Sequence, residues 1–178
     1  MFFKELETNR LMLKNICGED REFILKQFSD DAINQYLFDA EPVRNLEEAD
    51  EIINFYVQPE PRGQHRWILI LKSNGNKIGT CGFHCWDKNN CSVEIGYDLQ
   101  VQHWGQGLMT EALKEILSFA LHNMSVKKID AHIYVDNQKS IAIIQKFGFK
   151  YNGKTEMCIF RDKEYLHDIY SLDCSTSK

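Results

Sequence analysis

The residues most suggestive of chemistry lie in one stretch, Val93-Glu94-Ile95-Gly96-Tyr97-Asp98-Leu99-Gln100-Val101-Gln102-His103-Trp104-Gly105-Gln106-Gly107-Leu108-Met109-Thr110-Glu111-Ala112. The pattern predicts a strand over Ser92–Leu99, a loop carrying Gly105 and Gly107, and a long helix over Gly107–Asn123. The first N–H groups of a helix have no intrahelical partner, and the helix dipole adds partial positive charge there. Glycines let the main chain come close to a ligand. Such a junction holds a phosphate or diphosphate without needing lysines. Two glycines before a helix also make a plain tight turn, so the exact motif decides. Thr110 stands where a dinucleotide fingerprint needs its third glycine, and no Gly-Lys-Ser/Thr follows as a Walker loop requires.

Other reactive side chains carry less. His65, His84 and His103 could each deprotonate an amine, but a lone histidine on a strand or loop is more often surface or core. His84 and Trp86, with Trp67 and Phe83, either line a pocket or pack the sheet. Cys81, His84, Cys85 and Cys91 form the one metal candidate. Strand alternation puts Cys81 and Cys85 on one face and His84 on the other, so no metal is expected. The six cysteines include no Cys-x-x-Cys pair, and reduced thiols are expected. Lys127-Lys128 is too short a run to mark a partner.

The chain has 178 residues, 43% hydrophobic and 26% charged. That fits a single domain over 1–178 and excludes a disordered chain. With 21 Lys and Arg against 26 Asp and Glu, the net charge is −5. General nucleic-acid binding is therefore not expected, and any polyanion must be met by a local site. No apolar run reaches the roughly 20 residues of a bilayer span, and the start, Met1 to Arg10, carries charges where a signal peptide is apolar. A cytoplasmic protein, with no membrane partner, is the expectation.

The elements that must hold the central junction read as follows. Thr8–Asn15 alternates like a strand. Glu19–Phe28 and Leu46–Tyr56 have helical spacing, with a short helix near Ala32–Phe38 between them. Arg66–Leu71, Lys77–Trp86 and Ser92–Leu99 form an antiparallel meander, turned at Ser73-Asn74-Gly75-Asn76 and at Asp87-Lys88-Asn89-Asn90. A strand at Lys128–Val135 and a helix at Ser140–Phe147, stopped at Gly148, follow the long helix. A hairpin, Lys150–Phe160 and Glu164–Leu172, ends the chain. Meander, strand–helix–strand–helix and hairpin together predict a mixed α+β domain.

Several segments resemble one known family. Trp104-Gly105-Gln106-Gly107-Leu108-Met109-Thr110-Glu111-Ala112 is similar to the acyl-CoA loop of the GNAT N-acetyltransferases, in particular the branch that includes the ribosomal-protein N-terminal (RimJ/RimL-type) acetyltransferases. Glu7-Thr8-Asn9-Arg10-Leu11-Met12-Leu13, Lys77-Ile78-Gly79-Thr80-Cys81-Gly82-Phe83, and Asn137-Gln138-Lys139-Ser140 through Lys146-Phe147-Gly148-Phe149 resemble its other segments in the same order. The resemblance implies a mostly antiparallel twisted sheet of about seven strands, flanked by helices and splayed at a bulge around Tyr97–Val101. The family pattern Gln/Arg-x-x-Gly-x-Gly/Ala fits in two registers, starting at Gln102 or at Trp104. The branch favours the second.

In that register the amides of Gln106, Gly107, Leu108, Met109 and Thr110 would face the diphosphate of acetyl-CoA. Pantetheine would lie along the free edge near Leu99 and Val101, where a main-chain N–H near Leu99 would bind the acetyl oxygen. Acetyl transfer needs a base for the amine, polarisation of the thioester carbonyl and a proton for the leaving thiolate. Glu94 stands about where the family places a catalytic glutamate, although a structural hydrogen bond is the competing role. The tyrosine acid of many relatives is replaced by Ile144. The branch points instead to Ser140, with Asn137 reaching CoA, and either residue could simply cap the helix. Tyr97 and Tyr134 are the remaining phenols near the site. The expected activity is transfer from acetyl-CoA to a protein or peptide N-terminal amine. Small amines (polyamine, amino acid, aminoglycoside) are the alternative acceptors, and a non-catalytic acyl-CoA-binding module is the alternative class. The acceptor pocket would be shaped by Asp30–Gly63 and the Arg161–Lys163 turn. Either a monomer or a homodimer is compatible with the sequence.

Overall fold

The computed structural model describes residues 2–37 and 41–175. Its eight strands form one sheet in the order β1-β2-β3-β4-β5-β6-β8-β7. β1 (Leu6–Glu7) and β2 (Leu11–Asn15) replace the single expected first strand, because Thr8-Asn9-Arg10 turns between them. Leu11 and Leu13 are buried while Met12 and Lys14 are exposed, the period of a strand with one face inward. β3 (His65–Leu71), β4 (Lys77–Asp87) and β5 (Ser92–Leu99) make the meander. Gly75, at φ +75°, makes the first turn, and the Asp87 carboxylate accepts from the N–H groups of Asn89 and Asn90 in the second. β6 (Lys128–Tyr134) follows, and β7 (Lys150–Phe160) and β8 (Lys163–Asp173) form the closing hairpin, tied at Arg161 and Asp162, both at positive φ.

Helices cover both faces. α4 (Leu108–Asn123) buries Ala112, Leu113, Ile116 and Ala120 against Trp67, Phe83 and Ile129. α5 (Gln138–Gln145) adds Ile141 and Ile144 to that core and ends before Gly148, whose φ is +88°. On the opposite face, α1 (Arg21–Phe28) and α3 (Leu46–Tyr56) pack Ile24, Ala49, Ile53 and Tyr56 against Ile68. The spacing of Ala49, Ile53 and Tyr56 forms one helical stripe. The Asn45 side chain caps α3 by accepting from the Glu48 N–H at 2.9 Å. α2 is short, Asp31–Asn34. It ends earlier than the expected Ala32–Phe38, and Phe38 lies outside the described residues.

Every neighbouring pair of strands is antiparallel except β5 and β6. That parallel pair has only three rungs, Ser92 with Lys128, Val93 with Ile129 and Glu94 with Asp130. Beyond Glu94 the strands separate and the sheet forks. The expected bulge around Tyr97–Val101 is not there, because β5 pairs regularly with β4 from Leu99 back to Glu94. The irregularity lies at the other end, where two β4 residues, Cys85 and Trp86, oppose one residue of β5 and Cys85 takes φ +49°. This bulge also separates the two cysteines expected on one face. Cys81 is buried in the α4 core, whereas Cys85 borders a cavity on the opposite face.

Candidate active site

The glycine loop leaves β5 through a single 3-10 turn, Val101–His103. The Trp104 indole N–H donates to the Leu99 carbonyl at 2.6 Å, folding the loop back on the strand end. Gly105 and Gly107 both have positive φ, +72° and +74°. Gly107 is the residue before α4, and no side chain caps that helix. The unpaired amides at its start, those of Leu108, Met109 and Thr110, therefore open onto the adjoining cavity.

A latch from the first strands fixes this loop. Arg10 donates from Nη1 to the Gln106 carbonyl at 3.0 Å and from Nε to Glu111 Oε2 at 2.6 Å. Glu111 Oε1 accepts from the Arg10 main chain at 2.7 Å and from the Thr8 hydroxyl at 2.5 Å. These donors outweigh the cost of burial and hold the Glu111 carboxyl below its ordinary range. The first-strand motif and Glu111 were visible in the sequence, but nothing in their spacing joined residues a hundred positions apart.

Two cavities meet at the fork. One, of about 490 Å³, lies between the glycine loop, the start of α4 and α5. It is lined by Leu99, His103, Trp104, Gly105, Gly107, Leu108, Met109 and Thr110, with Lys139 and Lys146 at its α5 wall. Lys139 Nζ sits 4.0 Å over the Trp104 ring. The other cavity, of about 630 Å³, lies on the α1/α3 face of the fork. Its walls include Phe28, Tyr56, Arg66, His84, Glu94, His132, Tyr134 and Glu156. Tyr36, Leu37, Tyr97, Asp98, Asn137 and Ser140 line both.

The structure brings most of the expected site residues to this junction. Glu94 borders the second cavity, with its side chain 38% exposed. Ser140 and Asn137 stand where the cavities join, and Asn137 Oδ1 caps α5 by accepting from the Ser140 N–H at 3.1 Å. The Tyr97 hydroxyl donates to the Ser140 carbonyl at 3.2 Å, and burial pushes this phenol up to about 12. Val101 and Gln106 border neither cavity: Val101 is exposed, and Gln106 gives its carbonyl to Arg10 and its side-chain amide to the Gln102 carbonyl. Ile144 is buried in the core.

The free edge of β5 also has a defined polarity. The Gln100 N–H bonds the Ile78 carbonyl on β4 at 2.9 Å. Alternation along the strand then turns the N–H groups of Ile95, Tyr97 and Leu99 away from β4, toward the fork. Two of these belong to residues shared by the cavities or bordering the first of them, and they can donate to a developing oxyanion.

Beneath the second cavity lies a buried polar network. Arg66 donates to Thr80 at 2.7 Å, to Asp98 at 3.1 Å and to His84 Nε2 at 3.1 Å, and stacks over the Tyr56 ring at 4.9 Å. Gln27 of α1 donates to Asp98 at 2.6 Å. Burial pushes the Asp98 carboxyl up, against the pull of Arg66 and the Thr80 and Gln27 donors. Burial, aided by Arg66, lowers His84 to about 3, so its ring is neutral. A Cβ at Gly96 would come within 2.8 Å of His84 Nε2, so a side chain there would displace the ring from its place in the network. This network is what the sequence reading of His84 missed. Among the described residues, no group of three His, Cys, Asp or Glu side chains is placed to hold a metal ion.

A family model for the acetyltransferase (GNAT) domain matches residues 10–150. The uncharacterised N-acetyltransferase YoaA of Bacillus subtilis (strain 168) is 30% identical over 173 residues, 96% of this chain and 97% of its own. The ribosomal-protein-serine acetyltransferase of Escherichia coli (strain K12) is 27% identical over 128 residues, 72% of this chain and 68% of its own. Among solved structures, RimL, a ribosomal L7/L12 α-N-protein acetyltransferase in complex with coenzyme A, matches with a TM-score of 0.86 at 18% identity, over 96% of this chain and 98% of that one. A spermidine N-acetyltransferase of Vibrio cholerae, in complex with CoA and spermine, matches with a TM-score of 0.81 at 20% identity, over 93% and 96%. Because the family match starts at the arginine that latches the loop and runs through the fork and past α5, the chain belongs to the GNAT acetyltransferases.

Proposed function

We propose that this acetyl-CoA-dependent acyltransferase acetylates the N-terminal amine of a protein or peptide, by direct attack within a ternary complex. The observation that carries this reading is the meeting of two cavities at the fork, one beneath uncapped helix amides and the other beside a carboxylate. The amides of Leu108, Met109 and Thr110, with Gly107 at φ +74°, form the cradle for the diphosphate of acetyl-CoA. Pantetheine runs past Leu99 to the fork, where the Tyr97 and Leu99 N–H groups polarise the thioester carbonyl. The amine enters from the second cavity and gives its proton to Glu94 as its nitrogen bonds the acetyl carbon. The C–S bond then breaks and the thiolate takes a proton from the Ser140 hydroxyl as water returns one to Ser140, so no alkoxide is left. Holding both substrates at one fork supplies much of the rate.

Two likenesses favour an N-terminal amine: the E. coli relative is a ribosomal-protein-serine acetyltransferase, and the RimL neighbour is an α-N-protein acetyltransferase. A small polycationic amine is the second reading. It is favoured by the carboxylates Glu94 and Glu156, which border the second cavity and are 38% and 53% exposed, and by the likeness to a spermidine acetyltransferase. Incubating the protein with acetyl-CoA and a mixed library of peptides and amines, read by mass spectrometry, tests the choice. Acetylated peptide α-amines support the first reading. Acetylation confined to polyamines replaces it with the second, and acetyl-CoA binding without any product leaves an acyl-CoA-binding module. Action in the cytoplasm belongs to the same proposal, and no helix among the described residues is long and apolar enough to cross a membrane.

A further inference from the structure

Across the fork from Glu94 stands a pair of side chains that the mechanism above does not use. On β6, Asp130 forms the last rung with Glu94, and His132 is the next residue on the same face, just past the point where the strands part. His132 Nδ1 lies 2.8 Å from Glu156 Oε2 on β7, and its Nε2 lies 3.9 Å from Glu94 Oε1. All three side chains line the second cavity. The carboxylate at Nδ1 selects between the tautomers of the neutral ring: with Nδ1–H donating to Glu156, the Nε2 lone pair is the one that faces Glu94. Asp130, the nearest other carboxylate on β6, is tied to Lys128 at 2.6 Å and to the Ser171 hydroxyl at 2.5 Å. The Glu156 side chain is 53% exposed, so the row Glu94–His132–Glu156 leads from the fork to solvent.

We propose that His132, oriented by Glu156, relays the acceptor's proton from Glu94 to solvent and so restores the base for the next turnover. The proposal rests on the reading of Glu94 as the base. When the amine nitrogen bonds the acetyl carbon, Glu94 holds the released proton. The Glu94 O–H gives that proton to His132 Nε2, the Nδ1–H proton passes to Glu156 Oε2, and Glu156 releases it to water. The ring has then exchanged one N–H for the other, and a return tautomer shift resets it; no oxidation is involved. The 3.9 Å gap exceeds a direct hydrogen bond. Rotation of either partly exposed side chain, or one bridging water, closes it.

The test uses the full chain, acetyl-CoA and two acceptor probes, an Ala-initiated peptide and spermidine. For the probe turned over faster, His132→Gln is expected to lower kcat about tenfold or more while the KM for acetyl-CoA stays within about twofold, and added imidazole is expected to restore part of the loss. A double variant with Glu94→Gln should be no slower than Glu94→Gln alone, because groups acting in series are not additive. Nitrogen NMR of the ring provides a readout that does not depend on turnover. It should show the Nδ1–H tautomer in the wild type and its loss in Glu156→Gln. Wild-type kcat in His132→Gln, a loss carried wholly by the acceptor KM, or an Nε2–H tautomer overturns the relay. Impaired Glu94→Gln beside unimpaired His132→Gln overturns the relay and spares the base. Unimpaired Glu94→Gln removes the base, and the relay with it, whatever His132→Gln does.

Discussion

Glu94 and Ser140 approach the fork from different directions, and their chemistry is separable. Glu94 sits on β5 at the last rung before the strands part, with its side chain 38% exposed. Glu94→Gln keeps the size and removes the proton acceptor, so kcat is expected to fall about 100-fold with acetyl-CoA affinity by calorimetry unchanged. An undiminished kcat would return Glu94 to a structural role across the sheet. Ser140 lies where both cavities meet, and its proposed role is to protonate the leaving thiolate. Ser140→Ala is expected to lower kcat about tenfold, and a thioester of a more acidic thiol should recover much of that loss, because such a thiolate leaves without a donated proton. Recovery that does not depend on the leaving group would point to a different role. Tyr97 serves as the internal control. Its hydroxyl is already committed to the Ser140 carbonyl, and its phenol is pushed up to about 12. Tyr97→Phe loses only that hydrogen bond, so kcat should stay within about fivefold of wild type. A larger fall would make Tyr97 the acid.

At the scale of elements, the glycine loop depends on a brace from the far end of the sequence. Arg10, between β1 and β2, bonds the Gln106 carbonyl and Glu111 on α4. The Arg10 side chain is 45% exposed, so screening reduces the value of the pair to about 1 kcal/mol. Arg10→Ala is expected to raise the KM for acetyl-CoA about fivefold and to leave kcat nearly unchanged. A fall in kcat at constant KM would mean that Arg10 does not act through the loop. This brace also marks how far the sequence could be read. The strand–glycine–helix junction, the meander and the closing hairpin were legible because each rests on local periodicity or on turn residues such as Gly75, Gly107 and Gly148. The bulge was misplaced because it arises from the unequal pairing of Cys85 and Trp86 with β5, which is a property of two strands rather than one. Glu94, Ser140 and the loop amides could be named from a family pattern. Arg10 with Glu111 and His132 with Glu156 could not, since each pair is joined only once the sheet is assembled.

On the scale of the whole molecule, the second cavity is roofed by α1 and α3 and floored by a polar layer that has to remain neutral or paired. His84 contacts Tyr56 of α3 at 3.3 Å and Arg66 of β3 at 3.1 Å, so it links the helical layer to the sheet. His65 is 1% exposed, stacked on Phe3 and bonded to Asn15 and Arg62. Burial, with a nearby arginine in each case, lowers both rings from 6.5 to about 3. Between these values the unfolded chain binds protons that the folded chain refuses, so stability falls as pH drops below about 6.5, by up to about 1.4 kcal/mol per pH unit for each ring. Glu111 shifts in the opposite sense to its burial, being held below its ordinary 4.5 by Thr8 and Arg10. Its contribution is present above that value and is lost only at more acid pH, which separates the two windows. Thermal unfolding followed from pH 7 to pH 4 should therefore show Tm falling well before carboxylates protonate. His84→Gln should remove part of that slope below about pH 6.5 and none above it. A Tm that is flat from pH 7 to pH 5 would mean that the two imidazoles are not held neutral. The imidazole of that layer beneath the second cavity would then be charged, and the electrostatic setting proposed for Glu94 and His132 would have to be redrawn.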